Sequence, residues 1–365
     1  MQTLMYTGST ILIFGLMIMI HEFGHFIVAR RAGMRVEEFA LGFGPVLLSA
    51  TRGDTQYSWR LVPIGGYVRI AGMEPGEDVA DGFDKRPWGW RLGVIFAGCV
   101  MNLILAIGIF CFQYMVIGLP VGVTPTLARV MPHGAAAQAG LQRGDRIVAV
   151  GDTRDPTPAK IQDVVSDSPG RPVRIAVMRD DRRIEVTIVP QPTEVKELVP
   201  SYGPNDRLEE GRLEVVTRGR IGVVFGQQLR HLGVGASIYQ GTVTAYYATY
   251  EVVYSLYLTV RGKLPLAPSG PVAIVGMVWE QVNIGWANFL QISALLSIWI
   301  GIFNLLPFPG LDGSRMAFLL LEAVRGRPID PRKEAMIHLV GILVLLGLVL
   351  VITANDILQL WGPKG

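Results

Sequence analysis

His21, Glu22 and His25 stand in the stretch HEFGH at the end of an apolar run, and their types and spacing suit metal-assisted hydrolysis. Two histidines four residues apart on a helix project from one face, about one turn apart, so both imidazoles reach one ion. Glu22 lies on the adjoining flank, placed to take a proton from water that zinc has acidified to a pKa of about 7. It would then hand that proton to the leaving amine of a cleaved amide. The alternative is a pair of helix-end histidines hydrogen-bonded at an interface. Its weakness is cost, since ionisable groups near a bilayer core are penalised and mark function.

A catalytic zinc takes three protein ligands and keeps one position open. The metzincin extension needs glycine at 28 and histidine at 31, where this chain has Val28 and Arg31. Glu37 and Glu38 follow too closely, across Gly33, to be the downstream helix glutamate of thermolysin-like enzymes. His133 and His231 fall in or near a water-facing segment, and His338 opens the last apolar span and stays a candidate. The better candidate is Asp312, in GIFNLLPFPGLDGSR. There Pro307, Pro309 and Gly310 interrupt an uncharged run, one carboxylate is delivered, and the pattern resumes after Gly313. The alternative for Asp312 is an N-cap of the helix that follows.

The elements that must position these residues are membrane helices. Half of the 365 residues are hydrophobic and only 17% are charged, which is too apolar for an ordinary soluble enzyme. Residues 1–20, 92–128, 281–311 and 335–355 carry no Asp, Glu, Lys or Arg, long enough to cross a hydrocarbon core of about 20 residues. The first span lacks a basic leader region and a small-residue cleavage site, so it reads as a retained helix. The uncharged run 231–250, rich in Tyr and Thr, reads as a helix lying at the interface, with a fifth span as the alternative. Cys99 and Cys111 lie about 18 Å apart along one helix and cannot pair. A net charge of +3 is too slight to imply nucleic acid.

Basic residues set the orientation. Arg30, Arg31 and Arg35 follow the first span, Lys85, Arg86 and Arg91 precede the second, and Arg325, Arg327, Arg332 and Lys333 precede the last. Both termini are therefore expected outside, with the basic loops cytoplasmic. Nearly half of the chain's charged residues fall between 129 and 230, which makes that segment an outer, water-facing domain. It opens with a strand, an Ala-rich helix and a Gly-Asp step into the alternating strand RIVAV, and later RPVRIAVMRDDRRIEVTIVP reads as a hairpin. Over residues 121–190, with Gly140-Leu141 and Gly144-Asp145, it resembles a circularly permuted bacterial PDZ domain. Such a domain binds peptide ends by strand addition, or serves here only as a steric cap. Between the first two spans, FALGFGPVLLSATRGDTQYSWRLVPIGGYVRIAGM reads as strands with Gly-rich turns, clearest at 57–63 and 67–70. Its apolar content suits a hairpin packed beside a membrane site.

HEFGH at the end of a first span, a β-rich loop with GFGP and PIGGYV, a PDZ-like insert and NLLPFPGLDG near the end resemble the site-2 protease family, peptidase family M50. The resemblance covers nearly the whole chain and is to the bacterial branch that cleaves anti-sigma factors. It implies an intramembrane zinc metalloprotease with His21, His25 and Asp312 as zinc ligands and Glu22 as the catalytic residue. It also implies that Asn304 helps hold the substrate backbone, where the alternative is a helix–helix hydrogen bond. The loop over 57–70, with Tyr57, Trp59, Leu61, Gly65, Gly66 and Tyr67, would pair with an unwound substrate segment as an added strand. This chain has AGCVMN where the family often has Gly-Pro before the asparagine, which leaves Asn102 without an assigned role. It also has room for one PDZ module where better-known members carry two. The segment SGPVAI, 269–274, resembles the family's approach to the third span and carries no assigned chemistry.

The expected fold is a polytopic α-helical membrane protein with about four transmembrane helices, a membrane-associated β-hairpin and an inserted PDZ-like domain. Its divisions are a first span with the histidines over 1–30, a cytoplasmic-side loop over 31–91, a second span over 92–120 and the PDZ-like domain over 121–190. A polar connector and interfacial helix follow over 191–280, then spans over 281–325 and 335–357. The expected partners are the bilayer and single-span membrane proteins already trimmed outside, anti-sigma-factor-like or remnant signal peptides, in a bacterial plasma membrane. A non-catalytic scaffold of the same fold is the rival reading, and a zinc transporter, which needs ligands spread over several spans, ranks last.

Overall fold

A computed structural model describes residues 2–74, 76, 77, 79–202, 208–263, 270–327 and 329–361. Two compact units emerge, one of Met1–Ile117 with Leu232–Gly365 and one of Gly118–His231. Among the described residues, four helices are long and apolar enough to cross a membrane: Ile13–Arg31, Trp88–Val116, Trp286–Asn304 and Arg332–Leu358.

The first unit opens with helix α1, Gln2–Arg31. It stops at Gly33, whose positive φ of 70° lets Met34 N–H reach back to the Ala29 carbonyl and satisfy the helix end. Strands β1, Val36–Arg52, and β2, Thr55–Ile70, follow. The two strands expected at 57–63 and 67–70 are thus parts of one long strand. The first half of β1 lies between the two halves of β2: Phe39 is paired with both Val68 and Tyr57, and Ala40 with both Tyr67 and Ser58. The second half of β1 closes on the far side of 55–60. Glu38 ties this arrangement together, accepting from Ser58 Oγ at 2.5 Å, Tyr67 Oη at 2.6 Å and Arg60 Nη2 at 2.7 Å. Helix α2, Trp88–Val116, then packs along α1. Their crossing is close because Gly24 has no Cβ; one built there would stand 2.4 Å from the Ala97 carbonyl oxygen.

In the second unit, β3 (Leu119–Val130), α3 (Ala135–Gln138), β4 (Arg146–Val150), β5 (Thr153–Arg154), α4 (Pro158–Ser166), β6 (Val173–Arg179) and β7 (Arg182–Ile188) follow the predicted strand, short helix and hairpin. The stretch expected to be a polar connector differs. Residues 191–220 form a two-stranded antiparallel ribbon of β8, Gln191–Tyr202, and β9, Leu208–Arg220. Strand β10, Val223–Arg230, then pairs with β3, so the sheet runs β10-β3-β4-β6-β7 with β5 on β4. The unit therefore extends well past the expected boundary at 190. Its core joins Leu127, Leu141, Ile147, Ile161, Ile175, Val177, Ile188 and Ile221, each burial of such a side chain being worth about 1.5–3 kcal/mol.

Asp145, the Asp of the Gly-Asp step, is fully buried and takes Arg179 Nε and Nη2 at 2.7 Å and the Gln142 N–H at 2.9 Å. Burial alone would raise its carboxyl; the Arg179 fork and the Gln142 amide more than offset that and hold it below the usual carboxylate range. A carboxylate lowered by folding stabilises the fold above its unfolded pKa of about 3.9, and that stability is lost as pH falls through the folded value. In the intact protein, the protection of β4 and β6 amides, relative to an unfolded chain at the same pH, should therefore fall below about pH 4. Asp145→Asn should flatten that acid response, while starting from a less protected sheet at neutral pH.

The chain returns to the first unit with α5 (Val234–Val260), α6 (Pro271–Ile284), α7 (Trp286–Asn304), α8 (Asp312–Arg325) and α9 (Pro331–Trp361). The helix expected at the interface, α5, lays the small residues Ser237, Gly241, Ala245 and Ala248 against its neighbours and packs along α2 and α7. Tyr239, Tyr246, Tyr250, Tyr254 and Tyr257 are exposed. The third span, placed over 281–325, is broken where the prolines were expected to interrupt it: α7 ends at Asn304 before Pro307 and Pro309, and α8 is a separate amphipathic helix.

Candidate active site

His21 and His25 lie one turn apart on α1, both buried, with ring centroids 4.8 Å apart and planes at 80°. Their Nε2 atoms converge on one carboxylate oxygen, Asp312 Oδ2, at 3.0 and 3.2 Å. Donor atoms of His21, Glu22 and His25 all lie within 4.8 Å of one another. That grouping and the two histidine–Asp312 contacts overlap at the histidines, and together they make a cluster of two imidazoles and two carboxylates.

Asp312 gets there through the broken span. Gly310, at φ 98°, and the prolines turn the chain after α7, and Leu311 rather than Asp312 is the N-cap of α8. The carboxylate, free of a capping role, points to the histidines. Gly313 lets the turn close: a Cβ there would stand 2.2–2.3 Å from the Leu306 and Leu305 carbonyl oxygens. Gly313→Ala should open the turn, displace Asp312, and cost about 1–3 kcal/mol in strain. A thermal melt together with a zinc titration would check both.

The cluster fits zinc on its own geometry. His25 Nδ1–H donates to the Val94 carbonyl at 2.7 Å, which leaves the Nε2 lone pair facing inward. On α2 Gly98 makes room, since a Cβ built there would stand 2.6 Å from Nε2 of both histidines. Two imidazoles and a carboxylate are a donor set that catalytic zinc uses. Glu22 is held apart from them, with Oε2 accepting the Val68 N–H at 3.1 Å.

A cavity of about 1110 Å³ opens on the cluster, lined among others by Glu22, His25, Tyr67, Val68, Asp312 and His338. His338 is placed on the wall, with the Gly310 N–H 3.4 Å from its Nδ1, and it is not one of the clustered donors. Of the expected substrate-binding residues, Tyr67 lines the cavity. Gly65 and Gly66 are buried residues within β2, with Gly65 at φ 95° and Gly66 against the Ala40 carbonyl. Tyr57 and Trp59 sit in the half of β2 that is paired on both sides, and Leu61 is exposed just beyond it. Asn304 closes α7 and donates to its own helix at the Ile300 carbonyl, 3.0 Å away. Val68, Ile70, Phe43 and Met73 reach the cavity without having been singled out. Val68 is part of PIGGYV, Ile70 ends the loop expected to pair with substrate and Phe43 stands in GFGP, while Met73 only closes the strand-rich stretch.

A metal-ready pair of histidines, a carboxylate brought from 291 residues beyond the first of them and a second carboxylate beside them define a metal-dependent hydrolase built into membrane helices. Peptidase family M50 matches residues 9–348, and the chain belongs to that family of zinc metalloproteases. The zinc metalloprotease RasP of Oceanobacillus iheyensis is 32% identical, over 96% of this chain and 98% of its own. RasP of Geobacillus kaustophilus is 31% identical, over 98% of each. The regulator of sigma-W protease RasP of Bacillus subtilis is 29% identical, over 96% and 98%.

Proposed function

We propose that this zinc metalloprotease hydrolyses peptide bonds within or beside the transmembrane segments of single-span proteins. The observation that carries the reading is the burial of His21 and His25, at 5% and 4% exposure, inside a helix apolar enough to span a bilayer. His21, His25 and Asp312 hold the zinc, with Glu22 as the proton carrier. Bound there, zinc supplies Lewis acidity to a carbonyl and to water. Glu22 takes the proton of the attacking water and delivers it to the leaving nitrogen, so that the C–N bond breaks as the new C–O bond is kept. The Val68 N–H steadies Oε2 of Glu22 and leaves its other oxygen for this task.

A helix hides its amides in its own hydrogen bonds, so the substrate has to be unwound. Residues 66–70 have β1 on one side only and present their other edge beside Glu22. An unwound segment can add there as a strand. The half of β2 holding Tyr57 and Trp59 has partners on both sides, so addition is assigned to 66–70 with Tyr67, while Asn304 is kept as a backbone-holding residue.

The Gly118–His231 unit is read as a PDZ-like domain whose sheet ends in β10 and β7. It would lie on the outer side and exclude untrimmed ectodomains. Support for this orientation comes from the basic helix ends: Arg86 donates to the Gly33 carbonyl, and Arg91 pairs with Glu322 at 2.9 Å. These contacts bring the end of α1, the start of α2 and the end of α8 into one basic layer, which the positive-inside rule reads as the cytoplasmic one. The chain leaves α2 at Val116 and passes into the Gly118–His231 unit. Substrates of the anti-sigma-factor type, or remnant signal peptides, in a bacterial plasma membrane fit this geometry, in keeping with the sigma-W regulator among the relatives.

The test is a single-span reporter, trimmed or untrimmed outside, in liposomes with purified enzyme. Chelator-sensitive cuts mapped by mass spectrometry should fall in the span, and only in the trimmed form. Cuts confined to soluble loops would overturn the intramembrane reading. Equal cleavage of both forms after deletion of 129–220 is expected, and unchanged discrimination would remove the screening role.

A further inference from the structure

His25 and His21 are steered differently. The Nδ1–H of His25 has a pure acceptor in the Val94 carbonyl, which turns its Nε2 toward the site. Nδ1 of His21 faces instead the carboxamide of Asn102, a residue of α2 with no exposed surface, at 3.4 Å from Nδ2. In a neutral imidazole one nitrogen carries the proton and the other the lone pair. With the amide NH₂ toward Nδ1, the His21 proton sits on Nε2, directed at Asp312 Oδ2. That arrangement leaves Asn102 Oδ1 buried with no hydrogen-bond partner. A ligating Nε2 requires the reverse, with the proton on Nδ1. A half-turn of the amide about χ2 then brings Oδ1 to Nδ1–H and gives the orphaned oxygen its partner.

We propose that Asn102 is the positioning residue of His21, its carbonyl oxygen accepting Nδ1–H in the zinc-loaded enzyme and committing Nε2 to the metal. The inference rests on His21 being a ligand, as proposed above. A carboxamide suits the place because it offers donor and acceptor at equal reach, and so serves His21 in either tautomer. Asn102 is itself held: Ser297 Oγ–H donates to its main-chain carbonyl at 2.8 Å, and Gly301 leaves room for its Cβ. Neither contact uses the side-chain amide, which is reserved for the imidazole.

The experiment is zinc affinity by chelator competition on the purified full-length protein, comparing wild type with Asn102→Leu, Asn102→Asp and His21→Ala. Asn102→Leu should bind zinc about tenfold to a hundredfold more weakly. Asn102→Asp, which keeps the acceptor, should stay close to wild type. ¹⁵N shifts of zinc-loaded wild type should show His21 protonated at Nδ1. Wild-type affinity in Asn102→Leu, or equal loss in Asn102→Asp, would overturn the inference, as would a proton found on Nε2. Should Asn102→Leu not fold, Asn102→Asp and the shifts still decide. Undiminished zinc binding in His21→Ala would instead bring down the ligand assignment itself.

Discussion

Glu22→Gln should leave zinc bound and lower the cleavage rate by about 10²–10⁴-fold. The amide is nearly isosteric, and its oxygen still accepts the Val68 N–H, so the end of α1 keeps its place beside β2. What is lost is the ability to take a proton. The check is a paired measurement of metal content and of cleavage of a single-span reporter. Retained zinc with residual cleavage near the zinc-only background fits the proton-carrier role. Cleavage within tenfold of wild type would assign the proton transfer elsewhere, with His338 on the cavity wall as the next candidate. Parallel loss of zinc would place Glu22 among the ligands instead.

Gly98→Ala should be as damaging, by another route. Glycine at this point of α2 is what separates the helix backbone from both imidazoles; a methyl carbon 2.6 Å from the two Nε2 atoms would occupy the ground where they meet. Helix propensity favours alanine over glycine by about 1 kcal/mol, so α2 itself should be no less stable. Zinc affinity should therefore fall by more than the roughly tenfold to hundredfold that losing an outer hydrogen bond costs a site. Chelator competition together with a thermal melt in chelator separates the two effects. A variant that melts like wild type and binds zinc normally would show that the histidines meet elsewhere.

The two ends of the site were legible in the sequence for one reason: polar residues stand out against an apolar background. HEFGH and LDG each break an uncharged run, and helical spacing alone puts His21 and His25 on one face. The four apolar helices, and the strand, short helix and hairpin of the second unit, rest on similarly strong patterns. Gly98 and Asn102 carry no such signal, because their importance is a matter of what α2 lies against. The ribbon over 191–220 looked like a connector because charged residues are spread along it and mask a strand's apolar alternation. The fold of β1 and β2 escaped for a third reason. Periodicity marks strands but does not say that one strand will take partners on both sides, and this decides that Tyr57 and Trp59 stand in a strand flanked on both sides while 66–70 form the open edge.

That open edge has a consequence for selectivity. A segment laid along 66–70 adopts the pleat of the sheet, so its successive side chains point to opposite faces. Those on one face meet the cavity wall, and those on the other turn away from it. Preference around the cut bond should then recur at every second residue, and a one-residue shift would exchange the two sets wholesale. If substrate adds at this edge, the enzyme would tell substrates apart by a pattern of alternate positions and by readiness to leave the helical state, with little demand on any single amino acid.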